Sequence, residues 1–200
     1  MSISGNHPSR GQMPRAQRGV VLVVALVFLL LLTMLAISAT GRSLLQERMA
    51  GGLRNAQMAE MAAETALRGA EWRLWKAGNN ASVNCGSTVI TDCYVYDAAR
   101  PIASVEKFRN SAGWEVGGAT EYKGHDGGYD YTTLSGSGMT ADEKKLAVLA
   151  KNPHYIIEDM GPELPPGVGK PHESGVTARA TGGNLNTVRV LESTFAAKGE

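Results

Sequence analysis

The chain has 200 residues, of which 43% are hydrophobic and 6% aromatic, with 24 glycines; that length suits one modest domain plus an appendage rather than two full domains. The formal charge of +1 is unevenly spread, because residues 1–19 hold Arg10, Arg15 and Arg18 and no acid, which leaves 17 basic against 19 acidic side chains in the remainder. A body with a slight excess of acid lacks the clustered lysines and arginines on which nucleic-acid binding rests, so nucleic acid is not expected as a partner.

In chain order, the first element is a segment without charge from Gly19 to Gly41, within which Val20–Leu32 is wholly apolar (VVLVVALVFLLLL). About 20 apolar residues suffice to cross a bilayer as a helix, so this stretch has the length of a span. Apolarity leaves three fates open. It is a secretory signal cut at a small-residue site near Ala36-Ile37-Ser38, an uncleaved anchor with its basic flank in the cytoplasm, or a segment retained after cleavage following Gly19. Beyond Arg42 the pattern continues as an amphipathic helix to about Lys76. Leu45, Met49, Leu53, Ala56, Ala63, Leu67, Ala70 and Leu74 fall within roughly a 100° arc, with Glu60 an exception inside it. Met58, Met61 and Trp72 gather on the opposite side, among Glu47 and Arg54. One stripe suits a sheet in the same chain and the other a neighbouring subunit, although ordinary surface or core positions explain the second equally well. Residues 20 to 77 as continuous helix would measure about 85 Å, a stem that suits lateral packing in a filament and is hard to explain in a soluble enzyme. Gly41, Gly51 and Gly52 each cost roughly 1 kcal/mol in a helix interior, so local bending or melting is expected there.

Two blocks of the chain stand out, the first comprising QRGVVLVVALVFLLLLT (17–33) and LLQERMAGGLRNAQMAEMAAETALRGAEWRL (44–74), and the second HYIIEDMG (154–161) and TARATGGNLNTVRVLESTF (177–195). Together they resemble the PilX group of type IV pilus minor pilins. The resemblance implies cleavage by prepilin peptidase after Gly19 and methylation of the new N-terminus at Val20. It also implies membership of a minor-pilin complex that primes assembly at the pilus tip and presents a large adhesin, with adhesion and twitching motility as the downstream roles. The implied partners are the other minor pilins, the tip adhesin, the major pilin and prepilin peptidase. The implied location is the inner membrane, head in the periplasm, before assembly and the pilus tip at the cell surface afterwards. Most pilins carry glutamate five residues into the mature chain, where it pairs with a neighbour's N-terminal amine. Here that position is Val24. An unpaired amine in lipid is costly, so the departure points away from a bulk repeating subunit and towards the tip. The tip pseudopilin of type II secretion systems shares the missing glutamate and is one alternative; a membrane-anchored periplasmic enzyme or binding protein is another.

The expected organisation is therefore a leader (1–19), a transmembrane and filament-core helix (20–41), its amphipathic continuation (42–77) and a periplasmic head (78–200). The fold class is α+β and pilin-like, a long N-terminal helix packed on a small antiparallel sheet. Strands are expected at Thr88–Val95 and His154–Met160, with a hairpin of Val176–Thr181 and Thr187–Phe195 turning at Gly182-Gly183-Asn184. Thr140 and Glu143 form a capping-box signature for a short helix over 141–151. Eight glycines between Gly113 and Gly138 predict an irregular surface loop. Cys85 and Cys93 read as inert thiols or half a metal site in a reducing compartment, and as a small disulfide loop in an oxidising one. The periplasmic placement favours the disulfide. No CxxC or nearby histidine pair supplies the further ligands a metal needs, so no metal or cofactor is expected.

Nothing in the sequence organises a reaction, and no catalytic residue is expected. His7 lies in the leader. His125-Asp126 and His172-Glu173 are adjacent, and in extended chain neighbours point to opposite faces. Ser135-Gly136-Ser137-Gly138 lacks the frame of a nucleophile elbow, and Asp126 with Asp130 misses the spacing of a calcium-binding EF-hand loop.

Overall fold

The structure is a computed structural model that describes residues 17–79, 83–85, 90, 92–162 and 172–197; residues 1–16, including His7 and most of the expected leader, lie outside them. A single helix, α1 (Gln17–Gly78), is followed by β1 (Tyr94–Val95), α2 (Ala103–Asn110), β2 (Thr120–Glu121), α3 (Ala141–Ala147), β3 (His154–Pro162), β4 (His172–Thr181) and β5 (Val188–Ala197). The chain divides into two compact units between Ala50 and Gly51. Helical backbone continues through Gly41, Gly51 and Gly52, so the melting expected there does not occur.

In the second unit, α1 packs on the sheet through Ala59, Ala63, Ala66, Ala70 and Leu74, all fully buried, with Leu67 beside them. These positions recur at three- and four-residue intervals and form one helical stripe. Against them lie Tyr155 and Ile157 of β3 and Val176 and Ala178 of β4. Glu60 is exposed. The stripe read from the sequence also includes Leu45, Met49 and Leu53, which are exposed. Arg54 and Asn55 mark where the head begins on α1. The Arg54 guanidinium donates to the Leu146 carbonyl at 2.9 Å, at the end of α3, and the Gly183 amide donates to the Asn55 side chain at 3.1 Å. A Cβ at Gly182 would strike the Asn55 backbone, so the β4–β5 turn meets the helix only with glycine there.

The sheet runs β1-β3-β4-β5, with β2 also on β3. The central hairpin is as expected, and ten consecutive pairs from His172↔Ala197 to Thr181↔Val188 hold one register. The sheet is not wholly antiparallel, however, because β1 pairs with β3 in parallel, Tyr94 opposite Glu158. The outer edge of β3 is shared end to end by two short strands, antiparallel β2 at His154–Tyr155 and parallel β1 at Glu158–Asp159. Of the strand expected at Thr88–Val95, only Tyr94–Val95 is strand among the described residues; Thr88, Val89 and Thr91 lie outside them. The Asp159/Gly161 bulge in β3 explains the shortness of β1, since a bulge ends regular pairing.

The second face of the sheet carries α2, whose Val105 and Phe108 pack with Ile156. This helix escapes a reading by signature because its N-cap is Ile102, which makes no side-chain cap bond. Its C-terminus is held by Arg179, fully buried, which donates to the carbonyls of Ser111 (2.8 Å) and Gly113 and lies over the Phe108 ring. The capping box of Thr140 and Glu143 is formed, but α3 stops at Ala147 rather than running to 151. From Leu149 the backbone bonds elsewhere, Leu149 to the Tyr131 carbonyl and Ala150 to the Gly182 carbonyl. The glycine-rich stretch is more ordered than expected. It contains β2, and the buried Asn152 side chain accepts from the Tyr131 amide (2.8 Å) and donates to Glu121 (2.8 Å). Gly69 lets the Tyr122 ring lie against the α1 backbone, where a Cβ would collide with it.

Truncating Leu74 to alanine should lower the stability of the detergent-extracted chain by about 2–5 kcal/mol, the usual cost of a cavity at a fully packed site. Leu53→Ala, at a position 62% exposed, should change it by no more than about 0.5 kcal/mol. Urea midpoints of the two variants measured side by side check the contrast.

Candidate functional site

The largest chemical feature of the described chain is the uncovered first half of α1. Every large apolar side chain from Val20 to Leu35 is between 49% and 70% exposed, and Ile37, Leu44, Leu45, Met49 and Leu53 extend the surface. Water-soluble monomers rarely leave apolar patches beyond a few hundred Å² uncovered, so this surface belongs in lipid or against other helices. Its polar groups are suited to either setting. Thr33, Ser38 and Thr40 each donate to a carbonyl three or four residues back, at 2.8, 2.9 and 3.0–3.1 Å, which satisfies these three hydroxyls in an apolar surrounding. The helix is apolar and long enough to cross a membrane by length and composition. Gly19 and Val20 lie in the first turn of α1, and Val24 presents an apolar side chain, 49% exposed, one turn further.

On the head, Cys85 and Cys93 form a disulfide with their Cα atoms 5.5 Å apart. The Cys85 amide donates to the Asp159 carboxylate at 2.9 Å, so the link is fastened to the β3 bulge. Next to Cys93, Asp92 accepts from Arg73 of α1 (2.7 Å) and from the Thr120 hydroxyl of β2 (2.9 Å). Arg73 also donates to the Tyr155 hydroxyl at 3.0 Å. The Arg73 guanidinium holds the Asp92 carboxyl below its ordinary range, and the same bond raises Arg73. The disulfide, β1, β2 and α1 are therefore tied at one point. Sequence reading found the cysteines by their spacing. It missed Arg73 and Asp92, which are 19 residues apart and carry no local signature.

Two concave surfaces flank this core. A groove of about 1070 Å³ lies between the Met61–Lys76 face of α1 and the loop at Tyr122–Gly127. Trp72 and Met61 line it, while Met58 packs against the core instead. The Lys76 ammonium lies 4.9 Å from the Trp72 ring centre, and the His125 ring meets Trp72 edge-on at 3.9 Å. A smaller groove of about 420 Å³ on the other face is walled by Tyr96, Met160 and Thr194. At its side Arg109 is set among Glu158, Glu192 (2.6 Å) and Glu106 (3.2 Å). Burial pushes the Glu158 carboxyl up against the pull of Arg109.

Among the described residues, His125 and His154 lie in separate surroundings. His125 and Asp126 do approach, at 3.7 Å, because the chain turns there instead of extending, but both are exposed. His154 contacts the Asn152 carbonyl at 3.0 Å, and burial lowers its pKa. His172 and Glu173 pair separately with Ala197 and Ala196 in the β4–β5 ladder. The Asp130 carboxylate is occupied by the amide and hydroxyl of Thr132, at 2.9 and 2.7 Å. Among the described residues no group of three or more His, Cys, Asp or Glu side chains is arranged to hold a metal ion.

Two family models match the chain: PilX N-terminal over residues 18–68, and Type IV pilus assembly protein PilX C-term over residues 55–197. No curated protein and no solved structure matches it.

Two measurements follow from the anchor. The Cys85→Ser, Cys93→Ser double variant should lose about 2–3 kcal/mol of stability, the chain-entropy value for so short a loop, read as a lower urea midpoint. The Asp92 pKa is depressed in the folded state, so its contribution is complete above the unfolded value near 3.9 and fades as pH falls below it. Asp92→Asn should therefore be destabilising at pH 6 and have much less effect near pH 3, as urea midpoints at the two pH values will report.

Proposed function

The chain belongs to the PilX family of type IV pilus assembly proteins and is a PilX-type minor pilin, and from that premise we propose that it works in the minor-pilin complex that primes assembly at the pilus tip. In this reading residues 1–19 are a leader removed by prepilin peptidase after Gly19, and Val20 is methylated as the new N-terminus. Residues 20–41 cross the inner membrane before assembly and enter the filament core afterwards. Residues 42–77 carry the stem into the head, and the head from 78 onwards faces the periplasm. Its partners are the other minor pilins, the tip adhesin and the major pilin, and its absence impairs adhesion and twitching motility.

The observation that carries the reading is the length of uncovered apolar helix from Val20 to Leu53, joined without a break to a head that packs on the second half of the same helix. An anchor needs only to cross the bilayer, for which about 20 residues suffice. Here the exposed apolar positions Leu44, Leu45, Met49 and Leu53 continue past Arg42, where a helix has left the lipid and needs protein neighbours. Val24 supports a tip position, because a subunit at the tip has no subunit ahead of it whose amine a glutamate would pair.

Intact mass of the membrane-extracted protein should give a mature chain that begins at Val20 and carries one added methyl group. A start at Ala39, or a retained leader, would overturn the pilin processing. Deletion of the gene should abolish or sharply reduce surface pili and leave type II protein secretion intact, whereas lost secretion with normal piliation would assign the chain to the secretion pseudopilus.

A further inference from the structure

The two edges of the sheet are treated differently. The outer edge of β3 is covered by β2 at His154–Tyr155 and by β1 at Glu158–Asp159, interrupted by the Asp159/Gly161 bulge and fixed by the disulfide. Such devices are how proteins block strand addition. Among the described residues no strand covers the opposite edge, β5, and no bulge interrupts it; its only such device is the pair of exposed charges Arg189 and Glu192. This strand is ten residues long, lacks proline, and keeps one register with β4 throughout.

The phase of its hydrogen bonds follows from the turn. The Gly182 amide donates to the Thr187 carbonyl at 3.0 Å, which makes that pair a bonded rung, and bonded and unbonded rungs alternate in an antiparallel ladder. Carried along the register, Arg189, Leu191, Ser193 and Phe195 bond to β4, while the amides and carbonyls of Val188, Val190, Glu192, Thr194 and Ala196 point outward. Among the described residues no backbone bond is made to these outward groups. Beside them Leu191 and Phe195 pack on the hydrophobic core and are only half-buried. Among the described residues the core thus ends at a half-buried flank alongside a row of peptide groups that have no backbone partner.

We propose that the outer edge of β5 is a strand-addition site that receives an extended segment of a different pilus subunit, which pairs with the outward peptide groups and covers Leu191 and Phe195 with its own apolar side chains. The proposal rests on the minor-pilin reading for the source of the partner. A second copy of this chain fits poorly. Antiparallel pairing of two β5 edges, with α1 on the same face of both sheets, reverses the direction of one α1 against the other, whereas stems inserted in one membrane run the same way. The incoming strand needs free amides at every second residue, apolar side chains on the α1 face, and polar ones beside Glu192 and Thr194.

The test compares Thr194→Pro with Thr194→Val in the full-length protein. Proline on the outward side of an edge strand removes a free amide and leaves the β4 ladder intact; valine keeps the amide. Both variants should form the Cys85–Cys93 bond and unfold close to the wild-type temperature. Thr194→Val should enter sheared surface pili at the wild-type level, and Thr194→Pro at less than about a tenth of it, equivalent to at least about 1.4 kcal/mol. Equal incorporation of both variants would overturn the proposal.

Hydrogen exchange on the wild-type chain gives a reading independent of whether the proline variant folds. The amides of Val190, Glu192 and Thr194 should exchange freely in the extracted subunit and at least about 100-fold more slowly in pili, as for other amides closed into a ladder. Free exchange in pili, or protection already present in the isolated subunit, would refute strand addition. Crosslinks between isotopically distinct copies at β5 would refute the choice of partner. Absence of the wild-type chain from sheared pili would count instead against the minor-pilin reading itself.

Discussion

The close seating of α1 on β3 and β4 is the contact from which the rest of the head follows. Ala59, Ala63, Ala66 and Ala70 carry no bulk beyond Cβ, and Ala178 and Ala180 answer them from the sheet. Small residues on both surfaces bring helix and sheet backbones near to each other, and Leu74, Ile157 and Val176 fill the remaining volume. Three further contacts depend on that short separation. The β4–β5 turn meets the helix backbone at Gly182, Tyr122 lies on Gly69, and Arg73 reaches Tyr155 and Asp92. Larger side chains in the alanine row would lift the sheet and undo all three together.

The sequence announces features that are local and periodic. The uncharged run, the helical stripe, the β4–β5 hairpin and the capping box at Thr140 each rest on spacing within a few residues, and each is present. The stripe marked which face of the helix is apolar without marking how far the head covers it. Leu45 and Leu67 obey the same period, yet one is exposed and the other buried. Features that depend on distant partners were not legible. Parallel β1 is two residues long, and its partner, Glu158–Asp159 of β3, lies far along the chain. Helix α2 has no cap signature and is held at its end by Arg179, 68 residues away. The Arg73–Asp92 bond and the role of Asn152 in organising the glycine-rich stretch are of the same kind, each a side chain whose partner lies 19 or more residues along the chain.

The two halves of α1 illustrate one helix adapted to two surroundings. From Gly19 to Gly41 it is apolar all round and bends its hydroxyls back onto its own carbonyls, so it makes no directional demand on a neighbour. From Asn55 onward it is amphipathic, with charges such as Arg68 and Glu64 on the outer face, 3.7 Å apart. Between them, Leu44 to Leu53 combine apolar residues with Glu47 and Arg48, a composition suited to neighbours made of protein rather than lipid. Along the helix the surface thus passes from apolar all round to apolar on a single stripe.

The polar contacts at Arg54 and Asn55 also have a mechanical meaning. Tension carried along α1 enters the head at the first points where the helix is fastened to something else, namely the end of α3 and the turn between β4 and β5. The next fastening is a row of alanine contacts parallel to the helix axis, which resists sliding collectively instead of parting one contact at a time. Pulling force is therefore shared over the whole buried stripe.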